Sequence, residues 1–245
     1  MPLTHAAQVA NPAPLGLMAF AATTFVLSLY NVGARGIEKP NAVVGLAVGY
    51  GGTAQFIAGI WEFAAGNTCE YLSPLRVCVS FAHPRKTNCS DFAIYPSLAP
   101  HPPEVGATAF CSYGAFWWSF ACILIPWFGV AQSSSSPEGV AAANLEDALG
   151  IYLSAWFIFT FIMLMASFRS SVALVVLFVV LDITFLLLFV HYFIKDTTIS
   201  NHVGKAGGAM GILTAAIAWY IGAAGLLTPD TSFFTLPVIE LSRRD

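Results

Sequence analysis

The charged residues of this chain are sorted along its length, and that sorting restricts the fold more than any motif does. All ten Lys and Arg residues and eleven of the thirteen Asp and Glu residues lie outside six apolar runs, at about 15–34, 42–64, 107–130, 148–168, 171–194 and 207–227. Only Glu62 and Asp182 fall inside them. Each run is close to the ~20 helical residues that ~30 Å of hydrocarbon requires. A charge at the centre of such a slab costs at least ~2.5–3.5 kcal/mol on insertion scales. The pattern therefore predicts an all-α membrane protein with six transmembrane helices per protomer and both termini on one side. Composition agrees: 57% of the 245 residues are hydrophobic and 9% charged, against roughly 45–50% and 25% in soluble domains. A soluble domain, a disordered chain and a disulfide-dense secreted scaffold are all excluded by these figures. The net charge of −3 leaves no basic footprint, so no nucleic-acid partner is expected. The first run lacks a basic leader and a small-residue cleavage site, which argues against a removable signal peptide.

Five segments follow: a tail over 1–14, two helices over 15–68, an irregular insertion over 69–105, four helices over 106–227 and a second tail over 228–245. Arg76, Arg85, Lys86, Arg169, Arg243 and Arg244 lie on the side of the termini, and Arg35, Lys39, Lys195 and Lys205 opposite. The balance places the termini in the cytoplasm by the positive-inside rule. Gly51–Gly52 interrupt the second run, and Gly207, Gly208 and Gly211 the sixth. Gly45/Gly49 and Gly207/Gly211 have the four-residue spacing that lets helices approach closely.

The polar exceptions carry the chemistry. The first run opens Asn11-Pro12-Ala13-Pro14-Leu15-Gly16-Leu17. Asn suits an N-cap and Pro a first turn, so the stretch reads as a capped helix start. It reads equally as backbone donors on a positive helix end, which suit a carboxylate. Gln55 and Glu62 are seven apart and share a helix face. Glu62 and the deeper Asp182 are candidate proton carriers or halves of buried polar pairs, with a plain interfacial position also open to Glu62. Tyr113 and Trp117, four apart, form either an aromatic belt or part of a ring that narrows a pore. No metalloprotease H-E-x-x-H, Gly-rich phosphate loop or G-x-S-x-G elbow occurs, and the five His residues form no metal cluster. Neither an enzyme nor a cofactor is expected.

With N-P-A-P-L-G-L opening the first run, G-G-T-A-Q-F-I-A-G-I-W-E over 51–62 and S-Y-G-A-F-W over 112–117, the chain resembles the acetate uptake transporter (YaaH) family of bacteria and fungi, across all six runs. The resemblance implies a hexamer in which each protomer carries its own pathway. It also implies movement of acetate and related short carboxylates, with protons as co-substrate in a symporter or without them in a channel. It places an apolar constriction at Phe20, Tyr113 and Leu181 and a residue linked to substrate size at Ala218. Thr23, Thr24, Asn31 and Gln55 lie on faces that could pair a carboxylate in transit. Gly66 departs from fungal relatives, several of which have an acid there, which bears on proton coupling. A plasma-membrane protein is expected.

The insertion breaks a stretch that the family reads as G-N-T-F-G-A-T-A-F. Gly66-Asn67-Thr68 stops, and Gly106-Ala107-Thr108-Ala109-Phe110 resumes. Cys69-Glu70-Tyr71 can be encoded TGT-GAG-TAC, which contains a GTGAGT splice donor, and Glu104-Val105 can be encoded GAA-GTC, which supplies an AG acceptor. Joining the remaining T and TC restores a Phe codon. Residues 69–105, with Cys69, Cys78 and Cys89, therefore read as translated intron in a fungal-type member. A capping or binding loop is the other reading. Two other functional classes stand beside acetate transport: a channel for a small neutral solute such as ammonia or water, and a non-transporting scaffold or receptor in which the polar residues only hold helices together.

Overall fold

The computed structural model describes residues 11–37, 42–65, 103–130 and 140–241. Six rods in it are long and apolar enough to cross a membrane. They are α1 (Ala13–Asn31); a second rod made of α2 (Val43–Leu46), a π-helical stretch (Ala47–Ala54) and α3 (Gln55–Ala65); α4 (Pro103–Leu124); α5 (Val140–Ser167); α6 (Val172–Phe193); and α7 (Thr197–Leu226). The expected fold class holds, and the chain is a multi-pass all-α membrane protein. Helices are what a hydrocarbon slab selects, because they satisfy every backbone donor and acceptor within the segment. Gly66, the three cysteines of the insertion and all of the insertion except the last three residues lie outside the described residues. So do Lys39, Arg76, Arg85, Lys86, Arg243 and Arg244, on which the orientation rests.

Two ends differ from the hydropathy reading. The rod of α4 stops at Leu124 rather than near 130, because Pro126 holds Ile125 extended (φ −76, ψ 119). A 3-10 turn, Pro126–Phe128, then closes on Gly129 at φ 67, where a residue without Cβ suffers no clash. At the other difference, α7 begins at Thr197, well before 207. The Asp196 carboxylate caps it by accepting the backbone N–H groups of Thr198 at 2.9 Å and Ile199 at 3.0 Å. Lys205 consequently sits inside the helix of the sixth span, which corrects the expectation that every basic residue lies outside the runs.

The second rod shows what Gly51–Gly52 signalled. Five of the seven buried positions among its described residues, Val43, Ala47, Gly51, Gln55 and Gly59, fall at every fourth residue, with Gly52 and Ala58 beside them. On an α-helix of 3.6 residues per turn that spacing drifts by about 40° per step. The π turns are wider and hold these positions on one face. The Thr53 hydroxyl donates to the Val48 carbonyl five residues back at 2.7 Å, and the Trp118 indole N–H reaches the same carbonyl at 3.2 Å.

The rods close into a ring: the second rod packs on α4, α4 on α5, α5 on α6, α6 on α7, α7 on α1, and α1 on the second rod again. Two kinds of seam occur in it. Where α1 meets α7, Gly208 leaves no room for a Cβ, which would come within 2.9 Å of the Ser28 carbonyl, and Gly211 packs directly on the Ser28 hydroxyl. The same holds between α3 and α4. A Cβ on Gly114 would lie 2.9 Å from the Phe56 nitrogen and 3.0 Å from the Gly52 carbonyl. Gly207 packs on Leu188 of α6, so the expected close approach at Gly207/Gly211 is realised. Gly45 and Gly49 are different: nothing lies within 4 Å of a Cβ on either, so that pair brings no helices together within the protomer. The α4–α5 seam is filled by rings instead, with Tyr113 on Phe159 at 5.4 Å and Phe116 on Trp156 at 5.1 Å between centroids.

Beyond α7 the chain turns back. The Tyr220 hydroxyl donates to the Pro237 carbonyl at 2.7 Å, the Val172 N–H to Ile239 and the Leu241 N–H to Ser170, both at 2.9 Å. The second tail is thus strapped to the start of α6 over its described part.

Candidate functional site

Phe20, Tyr113 and Leu181 each lie near the middle of their helix, on α1, α4 and α6. All three are buried, and all three line one cavity of about 230 Å³ inside the ring. The Phe20 and Tyr113 rings are 5.8 Å apart between centroids. Together the three residues form the apolar inner end of the cavity at mid-span, here called the neck. The Tyr113 hydroxyl turns away from full apolar burial by pairing with the Thr160 hydroxyl at 2.9 Å. An unpaired buried hydroxyl costs about 1–3 kcal/mol, whereas removing both partners is close to neutral. Thr160→Val is therefore expected to destabilise the protein by about 1–2 kcal/mol, while adding Tyr113→Phe to it recovers most of that loss. Thermal unfolding of both single variants and the double variant in detergent checks this.

From the neck the cavity runs towards the C-terminal ends of α1, α4 and α6. Thr24, Trp117 and Thr184 lie along it, and Asn31, His191, Asn201 and Lys205 line its outer part. His191 is held by Ser200, whose hydroxyl and carbonyl are each 2.8 Å from its Nδ1. Among the described residues lining this cavity there is a lysine and no carboxylate. A second cavity of about 250 Å³, lined in part by Glu146, Asp147 and Lys195, shares His191, Tyr192 and Asn201 with the first.

The remaining sequence candidates separate into groups. Trp117 and Thr24 join the neck residues in the cavity lining, as does Asn31. Thr23 does not: its hydroxyl returns to the Ala19 carbonyl at 2.9 Å, and its side chain packs on Gly51. Gln55 is 1% exposed, with its Oε1 unpaired, and is not among the cavity-lining residues. Ala218 is fully buried in the same core, also away from the lining. Glu62 is half-buried near the end of α3, facing Gly106. Asp182 follows the neck residue Leu181, with one carboxylate oxygen shielded and unpaired and an electrostatic interaction with Tyr113.

The Asn11–Leu17 stretch is mostly a packing element. Asn11 is not the N-cap, which falls on Pro12, but its side chain accepts the Ala13 N–H at 3.0 Å. Proline removes the donors at Pro12 and Pro14, and Gly16 N–H pairs with the Pro12 carbonyl at 3.2 Å. Of the donors the sequence reading offered to an anion, that of Leu15 is left over. Gly16 abuts the Phe110 ring, Gly225 abuts Pro14 and Gly222 abuts Leu17, so the turn wedges α1 between α4 and α7. Leu15 points outward, 44% exposed. Among the described residues no group of three His, Cys, Asp or Glu side chains is placed to hold a metal.

Sequence reasoning missed the outer part of the cavity. His191, Asn201 and Lys205 sit on turns of α6 and α7 that the hydropathy reading placed at a boundary or in a loop. It also missed Thr160, although a lone hydroxyl within Phe157-Ile158-Phe159-Thr160-Phe161 is itself a signal of a buried polar pair.

A ring of six membrane-spanning helices around a cavity whose inner end is apolar defines a multi-pass membrane protein with an internal cavity. Residues 2–243 match the GPR1/FUN34/yaaH family, and the chain belongs to it. Acetate permease A of Emericella nidulans is 43% identical over 236 residues, covering 96% of this chain and 67% of that protein. Ammonia transport outward protein 2 of Saccharomyces cerevisiae is 39% identical over 236 residues, covering 96% and 68%. The solved structure of the bacterial acetate channel SatP superposes with a TM-score of 0.65 at 26% identity, covering 94% of this chain and 99% of that one.

Proposed function

We propose that this protein carries acetate and related short-chain carboxylates across a membrane, through a passage contained within each protomer. The observation that carries this reading is the cavity lining: an apolar neck at Phe20, Tyr113 and Leu181, with Lys205, Asn31 and Asn201 on the outer part and, among the described residues, no acid. A cation and amide donors attract a small anion and repel ammonium. The neck then admits a solute small enough to shed most of its water. An ammonia pathway would need the same narrow neck, but it gains nothing from Lys205.

Proton coupling is assigned to Asp182 rather than Glu62. Asp182 follows the neck residue Leu181 at mid-span and has an unpaired, shielded oxygen. Glu62 lies near the end of its rod. Six protomers assemble around a common axis, the termini lie in the cytoplasm and the protein resides in the plasma membrane. Residues 69–105 are translated intron, absent from the working protein. The Asn11–Leu17 turn braces α1 at the end opposite Lys205, and Ala218 sets substrate size by way of the helix packing around the neck.

The test is acetate uptake into proteoliposomes, with and without an inward proton gradient, using protein lacking 69–105. Saturable uptake, competed by propionate and not by ammonium, is expected. Asp182→Asn is expected to remove most of the stimulation by the gradient, and Glu62→Gln to leave it. Ammonium competing as well as propionate would overturn the carboxylate reading, and no saturable uptake would overturn transport itself.

A further inference from the structure

Hydroxyl and indole groups buried in this ring are generally paired. The hydroxyls of Thr23, Thr184 and Thr214 each donate to the carbonyl four residues back, at 2.8–2.9 Å, the usual refuge of threonine in an apolar helix. The Trp118 indole N–H has the Val48 carbonyl and the Thr53 hydroxyl. Thr24 and Trp117 stand out against this pattern. They are 7% and 2% exposed, and neither the Thr24 hydroxyl nor the Trp117 indole N–H has a hydrogen-bond partner. Both residues line the cavity.

Their positions are related. Thr24 lies four residues after Phe20 on α1, and Trp117 four after Tyr113 on α4. Both helices run from the neck towards the end that carries Asn31 and Phe120, so each residue is about 6 Å outward of its neck residue, on the same face. Two unpaired donors thus line the same cavity, each one turn outward of its neck residue.

We infer that the Thr24 hydroxyl and the Trp117 indole N–H form an uncharged station that holds the carboxylate of the solute just before it enters the neck. The inference rests on the carboxylate reading above and adds the groups that recognise the head of the substrate. An indole N–H only donates, and a hydroxyl can donate. A carboxylate has two oxygens to accept both. Ammonium has no lone pair to offer either. The absence of a fixed cation at the station matters as much: neutral donors hold an anion loosely enough to release it, which conduction through a file of sites requires. Lys205 gathers the anion in the outer part of the cavity, and the station orients it.

The experiment is the concentration dependence of acetate uptake into proteoliposomes for Thr24→Val, Thr24→Ser and Trp117→Phe, with the amount of folded protein measured by size-exclusion chromatography. Thr24→Val keeps the shape and loses the donor, and is expected to raise the half-saturating acetate concentration about tenfold, equivalent to about 1.4 kcal/mol. Thr24→Ser is expected to stay within about twofold of the unsubstituted protein, since it restores the donor. Trp117→Phe is expected to act like Thr24→Val. If that variant does not fold, the Thr24 pair decides alone. Unchanged half-saturation in Thr24→Val, or a fall in maximal rate alone, would overturn the station while leaving acetate transport standing. Failure of the unsubstituted protein to take up acetate would instead remove the reading on which the station rests.

Discussion

Leu181→Ala is expected to raise succinate uptake relative to acetate by roughly tenfold, a change of about 1.4 kcal/mol in the relative barrier. Leu181 is 3% exposed at the inner end of the cavity, on the α6 side of the neck that Phe20 and Tyr113 form from α1 and α4. Its isobutyl group occupies space that a second carboxylate and its water would need. Truncation to Ala opens the neck without adding polarity, so the larger and doubly charged solute gains more than acetate does. The change also removes a buried aliphatic group, which costs about 2–5 kcal/mol of stability in soluble cores, so uptake must be scaled to folded protein. Competition between labelled acetate and labelled succinate in the same vesicles measures the ratio directly. Ala218→Gly should move the ratio less, because Ala218 packs within the core and does not line the cavity. An unchanged ratio in Leu181→Ala would show that the narrowest point lies elsewhere.

The second large effect concerns the α3–α4 seam. Gly114→Val is expected to prevent stable folding, because two of the three atoms nearest to a new Cβ are backbone atoms, the Phe56 nitrogen and the Gly52 carbonyl oxygen. A side chain can rotate away from a clash, but the backbones of two packed helices can only separate. Overpacking of this kind costs at least about 1–3 kcal/mol even where neighbours can move. Separation here would also pull apart the contacts of Gly59 with Cys111 and of Gly52 with Trp118. Ala115→Val, the adjacent but exposed position on the same helix, serves as the control and should leave the unfolding midpoint in place. The readout is the fraction of protein that elutes as a single folded species, followed by its thermal midpoint. Folded Gly114→Val with an unshifted midpoint would mean that the two helices are not in contact there.

The spans were legible because the physics that sets them is crude: a low-dielectric slab about 30 Å thick expels charge, and the gaps between charges report its thickness. Their ends were less so. Thr197–Lys205 reads as a polar loop by hydropathy, yet Asp196 caps it and the turns are helical, with Asn201, Gly204 and Lys205 facing the cavity. Polarity there reflects an aqueous cavity and not the end of the helix. The neck residues came from the resemblance, and the local pattern alone left Tyr113 and Trp117 undecided between an aromatic belt and a constriction. Thr23 and Thr24 could not be separated by sequence, since adjacent residues on a helix differ by about 100° and which of the two meets the cavity depends on packing. Gln55 stood out as a polar residue among apolar neighbours, but that its Oε1 would be buried without a partner was not legible.

The π-helical stretch of the second rod also sets which face the rest of that rod turns towards the bundle. Its wide turns act as a phase shifter: they absorb the mismatch between a four-residue repeat of small and buried positions and the 3.6-residue turn of an ordinary helix. Winding these eight residues as an ordinary helix, with none removed, would rotate everything downstream by about a quarter of a revolution. Gln55, Ala58 and Gly59 would then swing towards the hydrocarbon, and Ile57 and Ile60 towards α1 and α4. The Gln55 amide, buried at present, would then face oil.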